Sequence, residues 1–494
     1  MKGLSILWSR INHYANCIAL LVLMLVYLSP IIYPMYFSDD AFVYLNSLID
    51  NKVIGSKAWW MQANEVIDHW TKINGRFNPL AIYTYHFLIY NCQPAFVKWI
   101  YFLTTCLTLI VASSFVKILV KRHYFELFIL FALSCIQFCI RYHDPYNSFG
   151  LLYHSILILN FLSLILFNRY LQTGKWYALI FSIVFFLLGL LYQEIAIIFV
   201  VLHIILVYKT KKGPINLWPI LLISSLFLFF IIILRLNVDT TGQYVGLKSE
   251  FNLGNNLYVL YAQVLGSIPL RSSFCARFDL LAYSQLLQKY WIDILVIFSS
   301  SFYILKTSIQ FPIIKMNRYM ILSAFCLILL PALAISFSAK YIKEVHECNF
   351  YIPVFIQIFG MAILLYGLFI QFMKFRLGLM IILPMVLSLS YLTNRIEVNN
   401  GIDKHYRHLH VLKELGRISR VSQSNDTVFT YNMWTEEKVM EKLTELYFNK
   451  KIVYKNIYTM DSTLIYPKIL AYSATDTPKF LFFKNYKYKI KDFE

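Results

Sequence analysis

Apolar and polar residues fall in long blocks along this chain rather than at a short period. Runs of about 20 residues carry no charge, the stretch from Cys17 to Phe37 among them, and a helix of that length covers a hydrocarbon core of roughly 30 Å. The runs lack the every-second-residue alternation of a membrane barrel strand. They therefore predict helices, whose backbone hydrogen bonds close within each segment.

Short basic links between the runs set the direction of each crossing, because Lys and Arg collect on the cytoplasmic side. Lys2 and Arg10 hold the N-terminus inside, and the apolar run behind them is too long for a signal peptide and lacks a small-residue cleavage site. Further spans are predicted over 96–119, 124–140 and 149–167, with Lys121, Arg122 and His123 inside on one link and Arg169 and Lys175 inside on the next. The stretch from Trp176 to Tyr208 is too long for one span and is basic at both ends, with Lys175 before it and Lys209, Lys211 and Lys212 after it. It predicts a hairpin turning near Tyr192, Gln193 and Glu194, with its apex below the far surface. Later spans run over 217–236, from Tyr290 back toward Lys306, out to Ser338, back to Lys374 and Arg376, and out again near Tyr391. The predicted fold class is an all-α polytopic membrane protein of about eleven transmembrane helices, N-terminus in and C-terminus out.

Residues 38–95 and 237–290 become external loops of a membrane domain over 1–392. Pro79 to Asn91 is apolar but too short to cross, which predicts a re-entrant or interfacial piece. From 393 to 494 the composition turns charged and mixed, and a small external α/β domain is predicted. Its helix is the run Glu436 to Phe448, with Val439, Leu443 and Leu446 on one face, and DTVFTY, KIVYKNIY and KFLFFKNY are its strands. No internal repeat marks a pair of inverted transporter halves.

Composition agrees with the pattern. A chain of 494 residues that is 59% hydrophobic and 14% charged has too little polar sequence to coat a soluble globule. The net charge of +19 would suit nucleic acid, but much of the excess sits in the short links, where anionic headgroups explain it. The 8 cysteines form no CxxC pair and no zinc-spaced cluster. Cys275 and Cys348 fall in external loops, where an oxidising compartment would permit a disulfide.

Five polar clusters land on the non-cytoplasmic side of this topology: SDD at Ser38 to Asp40, NGRF at Asn74 to Phe77, HDPYN at His143 to Asn147, YQE at Tyr192 to Glu194, and KYIKEVHE at Lys340 to Glu347. Adjacent carboxylates at membrane level, Asp39 and Asp40, are costly unless water, a metal or a cation faces them; a helix cap is the plain alternative. Glu194 at membrane depth calls for a polar cavity or a structural Arg or Lys. Arg76 suits a phosphate or carboxylate, or else a headgroup anchor. Lys340, Lys343 and His346 form a cationic cluster with the same two readings, and His143 beside Asp144 is an acid–base pair or a loop turn. The chain has no GxG and no GxxxxGK, which argues against a soluble nucleotide donor and for a substrate carried in the membrane.

With SDDAF after the first helix, a long first loop ending in NGRF, HDPYN after the third helix, paired helices meeting at YQE and an external C-terminal domain, the chain resembles the GT-C superfamily of polytopic glycosyltransferases. Within it, the combination is similar to bacterial glucosyltransferases that modify O-antigen of lipopolysaccharide during serotype conversion. The resemblance implies a bacterial inner-membrane enzyme whose site faces the periplasm. It would move a sugar, glucose for instance, from a polyprenyl-phosphate donor to a glycan or lipid-linked glycan acceptor, with inversion. Asp40 is then the catalytic base, with Asp39 as rival. Arg76, Lys340, Lys343 or His346 would stabilise the departing phosphate, and His143, Asp144, Glu194 and Glu347 complete the substrate site. A divalent cation such as Mg or Mn, on Asp39, Asp40 and Asp144, is allowed but required by nothing. A polysaccharide polymerase and a lipid-linked-sugar transporter or flippase remain the competing functions.

Overall fold

The computed structural model describes residues 2–33, 38–120, 123–138, 146–238, 252–275, 280–309, 312–313, 315–337, 342, 345, 354–372, 376–399, 427–430, 437–456 and 480–482. Its helices are α1 (Lys2–Tyr27), α2 (Ser38–Val53), α3 (Ala58–Asn74), α4 (Pro79–Asn91), α5 (Pro94–Leu119), α6 (Phe125–Cys135), α7 (Gly150–Thr173), α8 (Trp176–Tyr192) and α9 (Phe199–Thr210). They continue with α10 (Trp218–Leu236), α11 (Leu253–Gly266), α12 (Arg271–Cys275), α13 (Leu280–Lys289), α14 (Trp291–Ser308), α15 (Arg318–Ser336), α16 (Val354–Gln371), α17 (Arg376–Asn399) and α18 (Glu437–Phe448).

Seven of these helices, α5, α7, α10, α14, α15, α16 and α17, are long and apolar enough to cross a membrane. Their outward faces explain why the fold needs lipid. On α5, Leu103, Leu107 and Ile110 are exposed at helical spacing, as are Leu222, Leu226, Phe229 and Ile233 on α10. The chain is thus a helical membrane protein.

The expected count of eleven spans is not met by helix length. α6 stops after 11 residues, because Ile136 turns extended and Phe138 donates its amide hydrogen to Asn394 Oδ1 at 2.9 Å. α8 has 17 residues and α9 has 12, while the described apolar part of α1 is Tyr14–Tyr27. Among the described residues, the two segments expected as loops are largely helical. Residues 38–95 hold α2, α3 and α4, and 237–290 hold α11, α12 and α13. The piece expected to be re-entrant is the helix α4, bounded by Pro79 in the first turn and by Cys92 in extended conformation.

The stretch from Trp176 to Tyr208 reverses direction, and one serine establishes it. Ser163 Oγ on α7 lies 2.8 Å from the Ser182 carbonyl oxygen and 3.1 Å from His203 Nε2. A straight helix would separate residues 182 and 203 by about 30 Å at 1.5 Å per residue. Meeting the same hydroxyl requires that α8 rise, turn through the 3-10 segment Glu194–Ile198, and descend as α9. Small residues let α7 and α8 approach closely. A Cβ on Gly189 would lie 2.5 Å from Asn160 Nδ2.

The reversals define two ends of the bundle. One gathers the end of α9 through Tyr208, the start of α15 through Tyr319, and Met316, whose amide hydrogen goes to Gln371 at the end of α16. Lys175, Lys209, Lys211, Lys315, Arg318 and Arg376 lie in helix ends and links there. Arg376 donates to the carbonyls of Phe369, Ile370 and Pro312, closing the link between α16 and α17. The opposite end holds α2 to α4, the start of α7 and the turn after α8.

Pro331 inside α15 removes a backbone donor, and Gln357 of α16 donates to the nearby Ile328 carbonyl at 2.6 Å. Beyond 426, β1 (Thr427–Thr430) pairs in parallel with β2 (Val453–Asn456) and antiparallel with β3 (Phe480–Phe482). These strands and α18 lie in the segments read as strand and helix from sequence. α18 meets α2, where Lys52 Nζ donates to the Leu446 carbonyl at 2.6 Å and lies 4.0 Å from the Tyr447 ring centroid.

Gly360 lets α16 pass close to α15. A Cβ there would lie 2.7 Å from the Ala324 carbonyl oxygen. Gly360→Ala is expected to destabilise the protein by about 1–3 kcal/mol through forced separation of the two helices, read as a lower melting temperature in detergent. An unchanged melting temperature would contradict this packing.

Candidate functional site

Asp40, the third residue of α2, is wholly buried. Its Oδ1 accepts from the Tyr85 hydroxyl at 2.9 Å, the Ser148 hydroxyl at 3.1 Å and the Phe149 amide at 3.3 Å. Its Oδ2 accepts from the Tyr101 hydroxyl at 3.1 Å. Lys98, also wholly buried, donates to the Asn147 carbonyl and sets its charge against Asp40. A buried carboxylate needs hydrogen bonds and a compensating charge, and Asp40 has four donors and the nearby charge of Lys98.

Each partner has a local cause. Lys98 and Tyr101 are three residues apart on α5 and so share a helix face. Phe149 takes a left-handed backbone, φ 54°, just before α7, which costs a non-glycine residue about 1–2 kcal/mol. That turn presents the 148 hydroxyl and the 149 amide together to Asp40. The Phe149 ring stacks on Tyr85 at 5.3 Å between centroids, holding the turn in place. α2 is not among the spanning helices. Burial pushes the Asp40 carboxyl above the ordinary carboxylate range, while Lys98 and the hydrogen bonds from Tyr85, Phe149 and Tyr101 pull the other way.

A second charged cluster lies at the same end. Gly75 ends α3 at φ 58°, and the Arg76 amide hydrogen bonds back to the Trp70 carbonyl at 3.1 Å. Arg76 Nε is 3.3 Å from Glu194 Oε1. Arg235, in the last turn of α10, places Nη2 3.4 Å from the same oxygen. One turn of α4 joins the clusters: Tyr85 binds Asp40, and the neighbouring Thr84 lies 3.1 Å from the Tyr192 hydroxyl, two residues before Glu194. Gln193 Nε2 also donates to the Tyr153 hydroxyl at 3.3 Å.

Three of the residues singled out in the sequence, Asp40, Arg76 and Glu194, are therefore brought to one end of the bundle. The Asp39 backbone belongs to α2, and its side chain lies outside the described residues. So do His143, Asp144, Lys340, Lys343, His346 and Glu347, together with the Cys275 side chain and Cys348. Lys98 and Arg235 were missed. The signal was present in both cases: a cation inside or at the end of an apolar run has to be matched by an anion. Among the described residues no group of three or more His, Cys, Asp and Glu side chains is placed to hold a metal ion.

Lys98 and Asp40 are both wholly buried and their charges act on each other, so removing either charge leaves the burial of the other less compensated. Asp40→Asn should therefore lower the melting temperature of the detergent-solubilised protein markedly, and adding Lys98→Met should recover part of the loss. Additive losses in the double variant would show that the two charges do not interact. Compared with family models, with curated proteins and with solved structures, the chain finds no match.

Proposed function

We propose that this chain is a membrane glycosyltransferase of the GT-C kind. It would move a hexosyl group from a polyprenyl-phosphate donor to a cell-surface glycan such as O-antigen, at the periplasmic face of a bacterial inner membrane. The observation that carries this reading is the pair of arginines, one from NGRF and one from the end of an apolar span, facing a glutamate at one end of the bundle. A net positive, partly exposed cluster at the end of lipid-facing helices suits a phosphate whose chain lies in the membrane. Basic links at the other end support placing that end in the cytoplasm. In this reading α1, α6, α8 and α9 bring the crossings to eleven, and residues 393–494 form an external α/β domain.

The transfer is a direct displacement. The acceptor hydroxyl gives its proton to a carboxylate as its oxygen bonds to the anomeric carbon, and the bond from that carbon to the phosphate oxygen breaks with its electron pair. The charge left on the lipid phosphate is met by Arg76 and Arg235. Asp40 takes four donors and has no exposed surface, which supports it as the residue that positions the site. The proton then goes to Asp39, the other carboxylate of SDDAF.

Purified protein incubated with polyprenyl-phosphate sugars and glycan acceptors tests the reading. Asp39→Asn is expected to lower kcat by about 10²–10⁴-fold, the usual worth of a general base, and Arg76→Gln by about 10²–10³-fold. Lipid flux across liposomes without any transfer would instead favour a transporter.

The pH profile gives a separate check. Asp40 accepts its hydrogen bonds as the ionised form, and its pKa is raised by burial. The site is thus organised above that pKa and lost as pH falls through it. The acid limb of kcat/KM is expected above the free-carboxylate value of about 3.9. An acid limb at or below that value would remove Asp40 from the active state.

A further inference from the structure

The charged cluster at Glu194 already has an anion in it, and the anion is the protein's own. Arg76 Nε and Arg235 Nη2 share the single oxygen Oε1, at 3.3 and 3.4 Å. Charge-assisted N–H···O bonds usually close to about 2.7–2.9 Å, and both of these contacts are longer. All three side chains are partly exposed: 15% for Arg76, 31% for Arg235 and 19% for Glu194. Two guanidinium groups and one carboxylate sum to a single positive charge.

Arg235 is held where it is by the NGRF turn. A Cβ on Gly75 would lie 2.9 Å from Arg235 Cγ, 3.1 Å from its Cα and 3.1 Å from Val238 Cγ2. Glycine is required there twice, for the left-handed backbone and for the close passage of α10. The turn thus supplies one arginine and makes room for the other.

We propose that Arg76 and Arg235 form a two-guanidinium clamp in which Glu194 stands in for the substrate phosphate until a lipid phosphodiester displaces it. The proposal rests on the lipid-phosphate reading above and adds Glu194 as a competitor for the two arginines. A phosphodiester brings one negative charge and offers two unesterified oxygens, one for each arginine. Displacement frees the Glu194 carboxylate to accept from a sugar hydroxyl.

Binding of dodecyl methyl phosphate, with one negative charge, and of dodecyl methyl diphosphate, with two, to the purified full chain tests the clamp. Arg235→Gln and Gly75→Ala are expected to weaken phosphodiester binding at least tenfold, with Arg235→Lys intermediate. Glu194→Gln removes the competitor and leaves two positive charges. It is expected to tighten binding severalfold, and more for the diphosphate than for the phosphodiester. Melting temperatures of every variant separate lost binding from lost fold. Weaker binding in a Glu194→Gln protein that still melts normally would make Glu194 a strut and overturn the clamp. Unchanged binding in Arg235→Gln or Arg235→Lys would remove Arg235 from it. Inorganic phosphate competing as well as the lipids would overturn the lipid assignment, and wild type binding neither lipid would reject the lipid-phosphate reading itself.

Discussion

The Asp40 carboxylate ties this architecture together at one end. It draws donors from α4, from α5 and from the turn before α7, and it answers a lysine buried in α5. Bulk water does not reach the carboxylate, none of which is exposed, so these protein donors answer it. The constraint is mutual. Lys98 can be buried in an apolar span only opposite an anion, and Phe149 holds its left-handed turn while its amide points at that anion. α2, α4, α5 and the turn before α7 all meet at this one carboxylate.

The same rule recurs through the bundle on a smaller scale. His154 on α7 has a threonine hydroxyl of α5 3.0 Å from each ring nitrogen. Ser163 and Ser182 exchange hydroxyl-to-carbonyl bonds across the α7–α8 contact. At the Asp40 end, Arg395 donates to Tyr391 and to Ser29 and lies 3.9 Å from Asp293. Each knot joins helices whose polar groups would otherwise face hydrocarbon, where an unsatisfied group costs several kcal/mol. Short helices such as α6, α8 and α9 are tolerated because neighbours take up the backbone groups they leave, as Asn394 does at Phe138.

Much of the fold could be read from charge and hydropathy. The apolar run with basic residues at both ends had to return to its starting side, and the shared contacts of Ser163 place both arms of that hairpin at one level. The length of Pro79 to Asn91 marked it as too short to cross, read as a re-entrant or interfacial piece, and the structure makes it the 13-residue helix α4. Helix ends within apolar sequence were another matter. α6 stops at Cys135 although apolar residues follow, since the stop depends on Asn394, more than 250 positions later. The amphipathic helices of 38–95 read as loop because hydropathy alone does not distinguish a polar helix from a polar link.

At the candidate site, sequence marked Glu194 as a charge within an apolar run that calls for a partner, since such charges are expensive there, and Arg76 as suited to a phosphate or carboxylate, or else as a headgroup anchor. It also determined that SDD follows the first apolar run. Tertiary structure alone decided that Asp40 is wholly buried, that Lys98 answers it, and that Arg235 shares the Glu194 oxygen with Arg76. The reason is physical. Hydropathy and charge are properties of single positions, whereas a buried ion pair belongs to two helices at once. Asp40 and Phe149 stand 109 positions apart, and no local pattern records which distant donor will fill a carboxylate's last lone pair.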